Sequence, residues 1–127
     1  MQAQIRFDRW YLAIAAPLGI GPRNSELRIE SGRLHVKMGW AFTADIPLSS
    51  IKRAVKSDTR VFEAGVHGRK SRWLVNGSRK GLVELTIEPP APAKVLRRSV
   101  TVGTLILSVT DPDEFVAACA AASASDV

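Results

Sequence analysis

A single cysteine, Cys119, in 127 residues leaves no thiol for an intrachain disulfide and none for a multi-thiolate zinc or iron–sulfur site. The natural expectation is a reducing compartment, so the chain reads as cytoplasmic. Histidine is scarce as well: His35 and His67 are the two present, with no third ligand at metal-site spacing. Neither HExxH nor a nucleophile-elbow motif occurs, and Gly19-Ile20-Gly21-Pro22 lacks the third glycine of a dinucleotide fingerprint. Long apolar runs are missing too. The stretch Trp10–Leu18 follows charges of both signs and is broken by Pro17 and Gly19, far short of the roughly 20 residues a membrane span needs. No catalytic constellation emerges, no cofactor is implied, and a non-enzymatic role is expected.

What the sequence does have is positive charge, unevenly placed. The formal net charge is +6. Between Ile51 and Lys80 nine basic residues face two acids, Asp58 and Glu63, so this segment carries the whole excess. Its members Lys52, Arg53, Lys56, Arg69, Lys70, Arg72, Arg79 and Lys80 form the candidate anion-binding set, since guanidinium forks and ammonium groups are natural donors to phosphate. Arg97-Arg98 is a second, smaller cluster. The plainer alternative is a solvated basic surface that serves solubility.

The hydrophobic pattern has period two through most of the chain. Leu27 and Ile29 alternate with Glu26, Arg28 and Glu30; after Ser31-Gly32, Leu34, Val36 and Met38 alternate with Arg33, His35 and Lys37. That pattern predicts a β-hairpin with one wet face, which leaves His35 towards solvent. Pro47 marks a strand end before Ile51–Val55. Residues 56–72, with Gly65 and Gly68, suit a long mobile hairpin or loop, and His67 falls within it. Asn76-Gly77 is a turn signal; followed by Ser78 it also matches a glycosylation acceptor, which in a cytoplasmic chain reads as a hairpin turn. Leu82–Ile87 reads as a strand ended by Pro89-Pro90-Ala91-Pro92, a rigid connector. Val100–Val109 reads as one broken strand or two short ones. Asp111-Pro112-Asp113-Glu114 then supplies an N-cap carboxylate, a first-turn proline and acids against the helix dipole, predicting a helix over 112–122. Phe115, Ala118, Cys119 and Ala122 share one stripe of it, so Cys119 reads as a small buried apolar residue rather than a reactive thiol. The three tryptophans, Trp10, Trp40 and Trp73, read as core residues, with base stacking as the alternative for Trp73 beside Arg72.

One domain over 1–127 accounts for this pattern. It comprises an N-terminal strand or extension (1–23), a β meander (24–110), the helix (111–122) and a frayed tail (123–127). The fold class is mainly β, a small barrel or sandwich of about seven antiparallel strands capped by one C-terminal helix.

The strand meander, the step Asp45-Ile46-Pro47-Leu48 into a basic strand, and the run of Leu105–Val109 through Asp-Pro-Asp-Glu into a helix resemble the bacterial pleckstrin-homology-like (PH-like) domains. They are similar to small actinobacterial proteins of that type. The resemblance covers roughly residues 24–122. It implies a bent, nearly closed sheet plugged by a C-terminal helix and an interaction module rather than an enzyme. Headgroup-binding members carry basic residues at the first hairpin; here that loop is Glu30-Ser31-Gly32-Arg33, and the Arg-x-Arg spacing is absent.

Three partner classes follow. A protein partner or a second copy of the chain would use an exposed sheet edge. An anionic lipid headgroup or phosphate would use the basic 52–80 segment, placing the protein peripherally at the inner face of the membrane. Nucleic acid is the third, with steep salt dependence.

Overall fold

In the computed structural model, which describes residues 2–8, 25–39, 41–57, 65–76, 78 and 80–125, the alternating segment after Asn24 forms the expected hairpin. A two-residue strand, β1 (Gln2–Ala3), lies beside β2 (Ser25–Glu30), which pairs antiparallel with β3 (Arg33–Met38). Leu27 faces Val36 and Ile29 faces Leu34 across the pair, and all four are buried. Ser31 and Gly32 both have positive φ, 55° and 75°, as the primed turn that matches strand twist requires. β4 (Phe42–Pro47) continues the meander and buries Phe42, Ala44 and Ile46 on the same face. Pro47 ends it, and a 3-10 turn (Leu48–Ser50) leads into β5 (Ile51–Lys56).

β6 (Gly65–Arg69) and β7 (Arg72–Asn76) form a second hairpin, which begins within the 56–72 segment expected to be a long hairpin or loop; residues 58–64 lie outside the described residues. β8 (Leu82–Val95) and β9 (Arg98–Ser108) form a third, long hairpin. The sheet runs β1-β2-β3-β4-β8-β9-β7-β6, with β5 paired to β8 off this path. It curls into a half-barrel, and the C-terminal helix α1 (Pro112–Ser125) packs against β5, the 3-10 turn and parts of β2 and β8. Phe42, Leu34, Met38, Ile46, Leu85, Leu105 and Phe115 form the centre of the core.

The mainly β class with one C-terminal helix is as the pattern predicts, and the details depart from it in four places. The proline group does not end a strand: β8 passes through it. On the β9 side the register jumps between Thr86 and Ala91, so Pro89 and Pro90 sit where the ladder asks for no N–H. On the other side β4 pairs β8 only from Ala93 to Val95, and β5 takes over from Ile87 downward. Pro92 therefore stands at the break between the two partners of β8. Second, β7 pairs with β9, and the pair is parallel, so not every strand is antiparallel. Asn76-Gly77 is accordingly not a two-residue hairpin turn, because β9 lies between β7 and β8. Third, residues 98–108 form one strand. Fourth, the helix extends through Ser125 rather than fraying from residue 123.

Its start is as expected: the Asp111 carboxylate accepts the Glu114 N–H at 3.1 Å. Phe115 and Cys119 are buried and Ala118 is half-buried, while the Ala122 side chain lies outside the described residues. Burial pushes the Cys119 thiol up from 9.0 to about 11. No helix among the described residues is long and apolar enough to cross a membrane.

Candidate functional site

Register places the charged side chains, because residues opposite one another on neighbouring strands share a face. On β5, β8, β9 and β7 the partners Arg53–Thr86, Thr86–Thr104 and Thr104–Arg72 form one row across the outer face. Opposite Arg72 stands the main chain of Arg69 on β6. Three strand spacings separate Arg53 from Arg72, about 14 Å. Both arginines are exposed, and the two threonines between them are half-buried. Arg72 Nη2 lies 3.3 Å from Glu84 Oε1. The next row on this face, Val55, Glu84, Ile106 and Leu74, is mostly apolar, and Ile106 is only 3% exposed.

The other members of the basic set are dispersed. Lys52 sits at a register shift in β5 and its Nζ donates to Ser49 O at 3.0 Å. Lys56 lies at the far end of β5, with Nζ 2.9 Å from Asp113 Oδ1 of the helix. Lys70 occupies the β6–β7 turn, exposed and with φ +58°. Lys80 is in the connector to β8, its N–H donating to Ser78 Oγ at 3.0 Å. Arg79 and the Arg69 side chain lie outside the described residues. The structure thus brings Arg53, Arg72 and Lys70 towards one half of the sheet and leaves Lys56 and Lys80 elsewhere.

The wet face of β2–β4 is different in kind. Arg28 sits between Glu26 and Glu30, 3.0 Å from each, and Arg33 Nε donates to Asp45 Oδ1 at 2.7 Å. His35, half-exposed as its register predicts, has Nδ1 3.4 Å from the same Asp45 oxygen. This face neutralises itself; on the outer face of β5, β8, β9 and β7, Glu84 pairs with Arg72 and Arg53 remains as excess positive charge.

Trp73 lies on the core side of β7, half-buried, with its ring against the backbone of Gly68 and Nε1 donating to Thr101 O at 3.3 Å. Trp10, Trp40 and the His67 side chain lie outside the described residues. Asn76 is fully buried and its Nδ2 donates to Ser78 O at 2.8 Å, which explains the residue type by packing. Among the described residues no group of three His, Cys, Asp or Glu side chains converges. Hollows of about 280 and 460 Å³ flank β1, both lined by Gln2, Gln4 and Thr110, with Ile5 at the first and Asp111 and Glu114 at the second.

Two features were not marked in advance by sequence reasoning. One is the outer edge of β6, at the end of the sheet, which no described strand pairs. The other is the β8–β9 turn, where Leu96 is the exposed large hydrophobic residue among those described, 55% exposed, next to Arg97 and Arg98. The visible signal for the second was an apolar residue in a turn bracketed by cations.

Comparison with protein-family models, with curated proteins and with solved structures finds no match to this chain.

Proposed function

We propose that this chain is a non-enzymatic, PH-like interaction module whose partner, a protein segment or a second copy of itself, adds a strand to the outer edge of β6. The observation that carries the reading is that edge. Arg69 and Arg72 bracket the two-residue turn and so form a hydrogen-bonded pair, which makes His67–Leu74 the next such pair. The main-chain groups of Val66 and Gly68 therefore point outward, away from β7. β6 carries no proline and no register shift, the devices that usually blunt a strand edge. A strand laid along it gains main-chain hydrogen bonds without any cavity.

A second reading has its own support. The row Arg53–Thr86–Thr104–Arg72 offers two guanidinium groups and two hydroxyls to a phosphate group, whether free or on a lipid. It competes with the edge reading for the same half of the sheet.

Hydrogen exchange at the amides of Val66 and Gly68 tests the edge. In dilute protein these amides should exchange quickly while those of Leu74 and Val75 are protected, and they should slow when the partner or a high concentration of the chain is present. Val66→Pro removes one outward N–H without touching the ladder to β7; because the half-buried Val66 side chain packs on the core, Val66→Ala is the stability control, and association should be lost in the proline variant alone. Protection of both amides in the dilute monomer would mean the edge is covered within the chain and would end this reading.

A further inference from the structure

We infer that the β8–β9 turn is an insertion tip for anionic lipid surfaces, a site separate from both the β6 edge and the Arg53–Arg72 row. Val95 pairs with Arg98, so Leu96 and Arg97 are the two central residues of the turn. Leu96 is 55% exposed, and no other large apolar side chain among the described residues is exposed. Its main chain is fixed: Leu96 N–H donates to Ala41 O at 3.0 Å, tying the tip to the β3–β4 connection.

Cations surround the leucine. Arg97 and Arg98 are exposed and make no ion pair among the described residues. Lys94, also exposed, donates through Nζ to Ser99 Oγ at 2.8 Å. Register extends the group, since Lys94 faces Thr43 and Thr43 faces Lys37, putting the exposed Lys37, itself opposite Glu26 on β2, two strands, about 10 Å, from Lys94. No acid stands between Pro89 and Thr110. Along β9 the tip lies six residues from Thr104, about 20 Å from the Arg53–Arg72 row.

The turn also breaks its own local rule. Leu96 and Arg97 have φ of +49° and +71°. A turn with both central residues in that region ordinarily takes Asn-Gly, because a bulky side chain there crowds its own carbonyl. A leucine kept exposed and strained has nothing to offer the fold, as its side chain joins no part of the core. One environment uses all the parts at once: an anionic bilayer takes the apolar side chain below its headgroups while the flanking cations stay at headgroup level. A free phosphate would not need the leucine, and neither would a nucleic acid backbone.

Co-sedimentation of the full chain with phosphatidylcholine vesicles, without and with phosphatidylglycerol, tests this. The wild type should bind only the phosphatidylglycerol vesicles and should lose affinity at high salt. Inorganic phosphate at equal ionic strength should compete no better than chloride. Leu96→Asn keeps every charge and replaces leucine with a residue that tolerates positive φ, so its melting temperature should be unchanged or higher while vesicle affinity falls at least about tenfold. Arg97→Gln with Arg98→Gln should lower affinity about tenfold or more. Arg53→Gln with Arg72→Gln should leave binding within about twofold. Three results would overturn the inference: no binding of the wild type at low salt, full binding by a folded Leu96→Asn, or loss confined to the Arg53/Arg72 variant, which would move the anion site to that row.

Discussion

Adding one methyl group at Gly68 should destabilise the β6–β7 hairpin through a single neighbour, the Trp73 ring. Gly68 and Trp73 face each other in a non-hydrogen-bonded pair, where side chains approach most closely. A Cβ built on Gly68 would overlap ring atoms Cε3 and Cδ2 and lie 2.5 Å from Cζ3, against an ordinary contact of 3.4–4 Å. The ring must move by about 1 Å or more, and its 3.3 Å hydrogen bond to Thr101 O has no slack to follow. Overpacking costs about 1–3 kcal/mol and the lost hydrogen bond about 0.5–1.5 kcal/mol. Alanine returns about 0.4–1 kcal/mol by restricting the unfolded chain. The net is about 0.5–4 kcal/mol, a fall in melting temperature of roughly 2–16 °C for a chain of this length. Thermal unfolding of Gly68→Ala in two backgrounds, wild type and Trp73→Val, isolates the cause. With the ring gone, the same substitution should be neutral or stabilising, a coupling of at least about 1 kcal/mol. Equal cost in both backgrounds, or no cost in the wild type, would refute the reasoning.

Three further outcomes are expected. Cys119 should react slowly with Ellman's reagent in the native protein at pH 8 and give one thiol per chain in denaturant. Between pH 9 and 11 the unfolded chain releases this proton while the folded one holds it, so stability should fall as pH rises through that window, by up to about 2 kcal/mol, and Cys119→Ala should flatten the slope. Lys70→Gly relieves a positive φ and should raise stability by up to about 1 kcal/mol, measured by denaturant midpoint at constant m-value. Asp111→Ala removes the N-cap acceptor and should cost about 1 kcal/mol, read the same way.

What could be read from the residues follows from how local each signal is. The β2–β3 hairpin and the helix start were legible because their information lies within a few positions: alternation around Ser31-Gly32, and Asp111 through Glu114. The proline-bearing strand was not, because tolerance of Pro89, Pro90 and Pro92 depends on which neighbours need an N–H, and those neighbours, β9, β4 and β5, are set by the whole sheet. The parallel β7–β9 pair was hidden for the same reason: Asn76-Gly77 is a hairpin signal that tertiary pairing overrides. For the basic segment, charge was legible and position was not. The described members of the basic 51–80 segment end up on an outer sheet face, in a turn, beside the helix and in a connector. The tip at Leu96 shows the converse, since only the β8–β9 register puts its leucine at the centre of a turn.

Residues 4–6 are anchored at the end of β9. Arg6 N–H donates to Ser108 O and Ser108 Oγ donates to Arg6 O, each at 2.8 Å, while Thr110 N–H donates to Gln4 O at 3.1 Å and Ile5 is bridged to Val109. β7 likewise has no sheet partner beyond β6 until β9 arrives. During synthesis, therefore, residues 4–6 are made early relative to β9 and find their places late. They wait on a strand made 102 positions later, and pairings of such long sequence separation form slowly. A nascent chain halted before Leu105 would carry the β2–β4 meander with its apolar face uncovered and a β6–β7 hairpin with nothing to rest on. The interval between synthesis of the early strands and of β9 is when unshielded strand edges meet other chains, and the arrival of residues 98–110 ends it.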